Sequence, residues 1–160
     1  MQKESVTEQH RWLQQLVGDW TYESTVTTGQ DQRKTYTGTD RVRALGDFWI
    51  IAEGEGDFPG EGNAGMVVTL GYDPLRKRFT GTFIHSKMSY LWHYDGELDG
   101  TRKSLTLEST GPSMSGTGAT ARYRDVIELV NPAQRVFRSY ALREDGKWVE
   151  FMVARYLRTA

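Results

Sequence analysis

The sequence predicts an all-β fold: an antiparallel up-and-down β-barrel of about ten strands, preceded by a short N-terminal α-helix. Three observations lead there. After Gly18 the chain runs in short stretches rich in Val, Thr, Tyr, Phe and Trp. Pairs that tolerate tight turns, Gly46-Asp47, Asp73-Pro74, Asp95-Gly96, Asp99-Gly100, Asn131-Pro132 and Asp145-Gly146, separate those stretches at fairly regular intervals. Most connections are too short for the helical crossover that parallel strands require, so sequence neighbours should pair antiparallel. An open sheet of that many strands would expose two unpaired edges, and closure into a barrel removes both.

Taken in order, the first element is signalled by Ser5-Val6-Thr7-Glu8, which has the S-x-x-E form of a capping box. Trp12, Leu13, Leu16 and Val17 follow at helical spacing, which predicts an amphipathic helix over about 6–17, stopped by Gly18. Strands are expected at about 19–28, 34–45, 48–57, 65–72, 78–86, 89–95, 103–109, 122–131, 134–143 and 147–158. Alternation sets their faces: Met66, Val68, Leu70 and Tyr72 fall on one side, as do Phe79, Gly81, Phe83 and His85, with Thr69, Thr80 and Thr82 opposite. Tyr90, Trp92 and Tyr94 share a face opposed by Leu91 and His93, and periodicity alone does not say which side points inward. Two glycine-rich stretches, 57–65 and 109–121, read as longer loops at the rim.

At 160 residues the chain is long enough for one core and too short for two ordinary domains, so 1–160 reads as a single domain with the barrel over about 18–158. Twenty Lys and Arg against 21 Asp and Glu leave a formal charge of −1, which gives no field to draw nucleic acid. Cysteine is absent, excluding disulfides, thiolate nucleophiles and sulfur-ligated zinc. No apolar run approaches the roughly 20 residues that cross a bilayer, and the polar stretch Met1 to Gln9 lacks the core of a secretory signal. The expectation is a cytoplasmic protein with no membrane and no nucleic-acid partner.

Five ordered motifs carry a resemblance: Leu16-Val17-Gly18-Asp19-Trp20, Leu45-Gly46-Asp47-Phe48-Trp49, Thr69-Leu70-Gly71-Tyr72-Asp73-Pro74, Tyr123-Arg124-Asp125-Val126 and Asp145-Gly146-Lys147-Trp148. Together they resemble the bacterial domain of unknown function 1579 family from Leu16 to Arg158, which implies a calycin-like (lipocalin or fatty-acid-binding-protein-like) barrel without an assigned activity. The Gly-x-Trp of calycins opens the first strand and packs its indole against a late arginine. Here that resemblance implies a barrel closure built from Gly18 and Trp20 with Arg155 or Arg158, a cation–π contact of about 1 kcal/mol. Many family members carry an acidic residue at the place of His85 and a histidine at the place of Tyr90, so no histidine chemistry carries over.

The chemistry-bearing residues are sparse. His10 lies on the helix and reads as solvated. His85 and His93 flank one turn, but two ligands are too few for a metal site. The chain is also similar in size and topology to haem-binding barrels of the nitrobindin type, whose histidine lies late in the chain; this sequence has none after His93, and no cofactor is expected. Gly116-Thr117-Gly118-Ala119-Thr120-Ala121 fits G-x-G-x-x-A, yet a strand rather than a helix follows it, so it reads as a loop. Glu53 and Glu55 share a strand face, and no carboxylate falls into a nucleophile–base arrangement, so no catalytic residue is assigned.

The preferred reading is a carrier whose cavity takes a small, partly apolar molecule, with Trp49, Phe83, His85, Tyr90, Trp92, Arg124, Glu128 and Glu150 as candidate lining residues. A small enzyme using His85 or a cavity carboxylate as general base is the second reading. The third is a packed barrel that acts as a homodimeric interaction module.

Overall fold

The computed structural model describes residues 3–28, 32–58, 60 and 62–160. One helix, α1 (Glu8–Gln14), precedes ten strands: β1 (Gly18–Thr28), β2 (Gln32–Leu45), β3 (Trp49–Phe58), β4 (Gly62–Asp73), β5 (Arg78–His85), β6 (Trp92–Leu98), β7 (Ser104–Pro112), β8 (Thr120–Asn131), β9 (Gln134–Leu142) and β10 (Trp148–Arg158). Each pairs antiparallel with its neighbour in sequence, and β10 returns to β1, closing the barrel. The all-β, up-and-down architecture expected from the turn spacing is therefore the observed one.

Register fixes which side chains face the lumen, because pleating sends alternate residues to opposite sides. Trp20, Tyr22 and Ser24 stand opposite Asp40, Gly38 and Tyr36 of β2 on one side, and opposite Arg158, Tyr156 and Ala154 of β10 on the other. Following the pairs around the wall places Gly54, Met66, Val68, Phe83, His85, Trp92, Tyr94, Leu107, Tyr123, Asp125, Phe137 and Ser139 on the same inner face.

One end of the cylinder is sealed. Trp12, Leu13 and Leu16 pack onto Trp20, Val42, Ile50, Leu70, Phe79, Leu105, Leu107 and Ile127 to form the core. Leu13 and Leu105 are completely buried, and each such aliphatic side chain contributes about 2 kcal/mol. The Trp12 indole donates to the Arg102 carbonyl at 2.6 Å, tying the helix to the β6–β7 turn.

Local details depart from the sequence reading. The helix is shorter than 6–17, and its N-cap is Thr7 rather than Ser5. His10 takes the role expected of Glu8: its Nδ1 accepts the Thr7 backbone N–H at 3.0 Å, and its Nε2 donates to the Tyr72 carbonyl at 3.0 Å. Expected in solvent, His10 is instead buried between Phe48 and Tyr72, because the short helix packs against β3 and β4 at the barrel end. Gly18 opens β1 instead of ending the helix; its φ of +144° suits glycine, and the Arg158 guanidinium occupies the space a Cβ would take.

Both glycine-rich stretches are shorter as loops than expected. Phe58 pairs with Gly62, so β3 and β4 run almost to their turn, where residues 59 and 61 lie outside the described residues. Likewise β7 continues to Pro112 and β8 begins at Thr120. The G-x-G-x-x-A stretch thus straddles a turn and the start of a strand, with no helix N-terminus to meet a phosphate. Finally, β6 starts at Trp92 rather than near residue 89.

Candidate functional site

The lumen divides into a packed half beneath α1 and an open half toward the β5–β6 and β7–β8 turns. In the packed half, Ile50, Leu70, Phe79, Leu105 and Leu107 are at most 2 % exposed. Lumen-facing residues further along the same strands, Met66, Val68, Phe83, Trp92, Phe137, Met152 and Tyr156, keep accessible surface although their neighbours in the wall are fully paired. Space therefore remains inside the cylinder, as a barrel of this size permits. Small residues share the lumen face: Gly38 and Gly56 on β2 and β3 make room for the Tyr22 ring, which a Cβ at either would strike, and Ala121, Ser139 and Ala141 lie on β8 and β9.

Polar groups cross the middle of that space. Arg135, 5 % exposed, donates through Nη2 to Asp40 Oδ2 at 2.7 Å and lies over the Tyr156 ring at 3.7 Å and the Trp20 ring at 4.8 Å. Burial pushes the Asp40 carboxyl above its ordinary value, and the adjacent guanidinium pulls against that shift. Further round, Asp125 Oδ2 accepts from the Tyr94 hydroxyl at 2.5 Å and Oδ1 accepts from the Ser139 hydroxyl at 2.7 Å. Burial likewise raises the Asp125 carboxyl, while the Ser139 and Tyr94 hydrogen bonds lower it. Tyr94 and Tyr156 are both raised, first by burial and then, among other charges, by the Asp125 carboxylate. Asp40 and Arg135 also act on Tyr156, so the two clusters lie close enough to form one band.

Toward the mouth the lining turns aromatic. Trp92 meets Tyr90 and Tyr123 edge-on at 4.9 and 5.3 Å, and Tyr123 meets Phe151 at 6.3 Å. His85 packs between Phe58 and Phe83. The benzo edge of Trp92 rests on Gly111, where any Cβ would collide with it. Its indole N–H is buried without an acceptor among the described residues, as is Nε of Arg135.

Four candidates from the sequence face this lumen or its mouth: Phe83, His85, Tyr90 and Trp92. The face shared by Tyr90, Trp92 and Tyr94 is the inner one, and the Tyr90 hydroxyl donates to the Thr110 carbonyl at 2.9 Å. His85 points inward, but its Nδ1 accepts the Lys87 N–H at 3.1 Å, so the lone pair that a general base needs is engaged. His93 pairs with Thr82 on the outside, which separates the two histidines by the wall itself.

The other four point away. Trp49 lies on the outer wall against Gly71 and is 41 % exposed. Arg124 stacks over Trp148 at 4.1 Å and donates to Glu108 at 2.9 Å, again outside. Glu128, one residue out of phase with Ile127, faces outward, and Glu150 pairs with Arg138 on the same outer surface. The phase decides each case: Glu128 lies between the inward Ile127 and Leu129, and Arg124 between the inward Tyr123 and Asp125, so both belong to the outer face. Glu53 and Glu55 are outward too, and Glu53 sits 3.6 Å from Arg43.

Barrel closure uses Arg158 and not Arg155. Arg158 lies over Trp20 at 4.2 Å, whereas Arg155 is exposed opposite Glu23. The second arginine on Trp20 is Arg135, which the sequence reading missed along with Asp40, Tyr94, Asp125, Ser139 and Tyr156. A signal existed: Asp40 is in phase with Val42, Asp125 with Tyr123 and Ile127, and Arg135 with Phe137.

A broad hollow of about 1040 Å³ runs over β1 to β5, lined both by outward residues such as Thr21, Thr39, Glu53 and Glu55 and by the inward Asp40, Gly54, Met66 and His85. Ion pairs stud the outer wall, including Arg78 with Asp95 and Glu97, in contrast to the apolar band of a membrane-spanning barrel. Among the described residues no helix is long and apolar enough to cross a membrane, and no three His, Asp or Glu side chains converge on a metal position.

Comparison with known proteins agrees with this architecture. A family described as "Protein of unknown function (DUF1579)" matches residues 5–158. No curated protein sequence matches significantly. Among solved structures, Rv2717c from M. tuberculosis superposes with a TM-score of 0.63 at 10 % identity, over 98 % of this chain and 100 % of that one. The S-type phycobiliprotein lyase CPES from Guillardia theta gives 0.61 at 14 %, over 99 % of each chain. The barrel EF1p2_mFAP2b, bound to DFHBI, gives 0.50 at 14 %, over 94 % and 99 %. At such identities the likeness is one of fold.

Proposed function

Because the chain belongs to the DUF1579 family, whose activity is not known, we propose a role argued from its own lumen: the barrel binds a small, partly apolar molecule in its open half. The observation that carries this is the contrast along the cylinder. Side chains beneath the helix are packed to exclusion, while Phe83, Trp92, Asp125 and Tyr156 face inward and still keep accessible surface. A solid interior would leave no such surface. Apolar walls with a few fixed polar groups at depth are the ordinary composition of a small-molecule site. That EF1p2_mFAP2b holds DFHBI supports the capacity of this kind of barrel, and says nothing about which molecule this one takes.

The test is a neutral solvatochromic dye with a plugged variant. N-phenyl-1-naphthylamine should bind the wild type with a blue-shifted, enhanced emission. Ala141→Trp, which fills the mouth beside Tyr123, should lower dye affinity by about tenfold or more while near-UV circular dichroism stays cooperative on heating. Unchanged dye emission with the wild type, or equal binding by the plugged variant, defeats the reading.

A further inference from the structure

Among the described residues, the lumen holds one acid that nothing cationic balances. Asp40 and Arg135 neutralise each other. Asp125 is different: its two partners, Tyr94 and Ser139, are neutral hydroxyls, and among the described residues no Lys, Arg or His pairs with it. Two hydrogen bonds leave lone pairs on its oxygens unused, and the residue keeps accessible surface on the lumen face. A carboxylate buried with no countercharge is costly, and a ligand that supplies the charge recovers that cost.

The route to it has matching chemistry. On the same strand, Tyr123 stands one lumen position nearer the mouth, with Trp92 edge-on to it and Phe151 beyond. Aromatic faces attract cations as well as flat apolar groups. Their negative faces repel an anion, which would also meet Asp125 itself. Resting on the reading of the lumen as a ligand site, we propose that its ligand is a flat, apolar molecule carrying a protonated nitrogen, which docks on the Asp125 carboxylate beneath the Tyr123–Trp92 wall.

Three probes of one shape separate the possibilities: 2-naphthylmethylamine, protonated at neutral pH, 2-ethylnaphthalene and 2-naphthoate, each titrated by calorimetry at pH 7.5. The amine should bind about tenfold tighter than the hydrocarbon, and the carboxylate weakest. Asp125→Asn should bring the amine down to the level of 2-ethylnaphthalene and change the latter less than twofold. Equal amine and hydrocarbon affinities, a preference for 2-naphthoate, or equal loss of both probes in Asp125→Asn overturns the proposal.

A second measurement needs no variant. The groups facing Asp125 are Tyr94, Ser139 and Tyr156, with Asp40, Arg135 and Tyr22 acting on Tyr156, and the only one of them with a carboxyl outside an ion pair is Asp125. The advantage of the amine over the hydrocarbon should therefore shrink as pH falls and Asp125 protonates, and an advantage constant from pH 8 to 4 overturns the proposal. Entry of N-phenyl-1-naphthylamine without the stated ranking defeats this inference alone; exclusion of that dye and all three probes defeats the lumen reading beneath it.

Discussion

Arg158 makes several contacts at once. Its guanidinium lies over the Trp20 indole, Nη1 donates to the Val17 carbonyl, and Nη2 and Nε donate to the Gln15 and Pro132 carbonyls at 2.7 and 2.8 Å. The Trp20 N–H in turn donates to the Leu16 carbonyl at 2.9 Å. One side chain thereby joins the helix exit, the first strand and the β8–β9 turn. Arg155, three residues earlier, is exposed and stands across the strand pair from Glu23. Charge-assisted bonds to carbonyls and a cation–π contact are worth about 2–3 kcal/mol together at a partly buried site, against about 0–0.5 for an exposed pair. Arg158→Ala should therefore lower the urea midpoint sharply at constant m, and Arg155→Ala should leave it nearly unmoved.

At the scale of elements, what made the strands readable was turn chemistry and period-two alternation. Both act locally, so the ten strands and their antiparallel order were legible, with ends misjudged where glycine-rich chain kept pairing, as at Phe58 with Gly62. Facing was legible only where apolar residues set the phase. His85 shares its phase with Phe79 and Phe83 and was legible that way, the facing of Trp92 stayed open, and Arg124, Glu128 and Glu150 were misplaced, since a charged side chain gives no phase of its own. Asp40, Asp125 and Arg135 sit in phase with apolar neighbours, and what brings them together is the register across nonlocal strands, which no short window contains. Glycines show the same dependence. A Cβ on Gly96 would lie 2.2 Å from the Thr106 carbonyl oxygen, a backbone atom that cannot step aside, whereas one on Gly100 would meet nothing within 4 Å. Gly96→Ala should cost about 3 kcal/mol and Gly100→Ala under about 0.5 by chemical denaturation.

For the molecule as a whole, the buried acids tie stability to pH in the opposite sense from ordinary surface carboxylates. Asp125 has a folded pKa above its unfolded one, chiefly because burial penalises its charge. Between those two values the folded state binds more protons than the unfolded state, so stability falls as pH rises through that window. The contribution is fully present below the unfolded value near 3.8 and is lost once pH exceeds the folded one. Asp40 is raised in the same direction. Asp99 runs the other way: hydrogen bonds from Thr101 and the neighbouring backbone lower it, and its share is lost as pH falls. Asp125→Asn removes one titration cleanly. The urea midpoint of Asp125→Asn relative to wild type should therefore improve between pH 4 and pH 7.5, and a difference independent of pH would mean that Asp125 is not held protonated by the fold. Protection of the wild type by 2-naphthylmethylamine should grow over the same interval, because the probe supplies the countercharge only once the carboxyl has ionised.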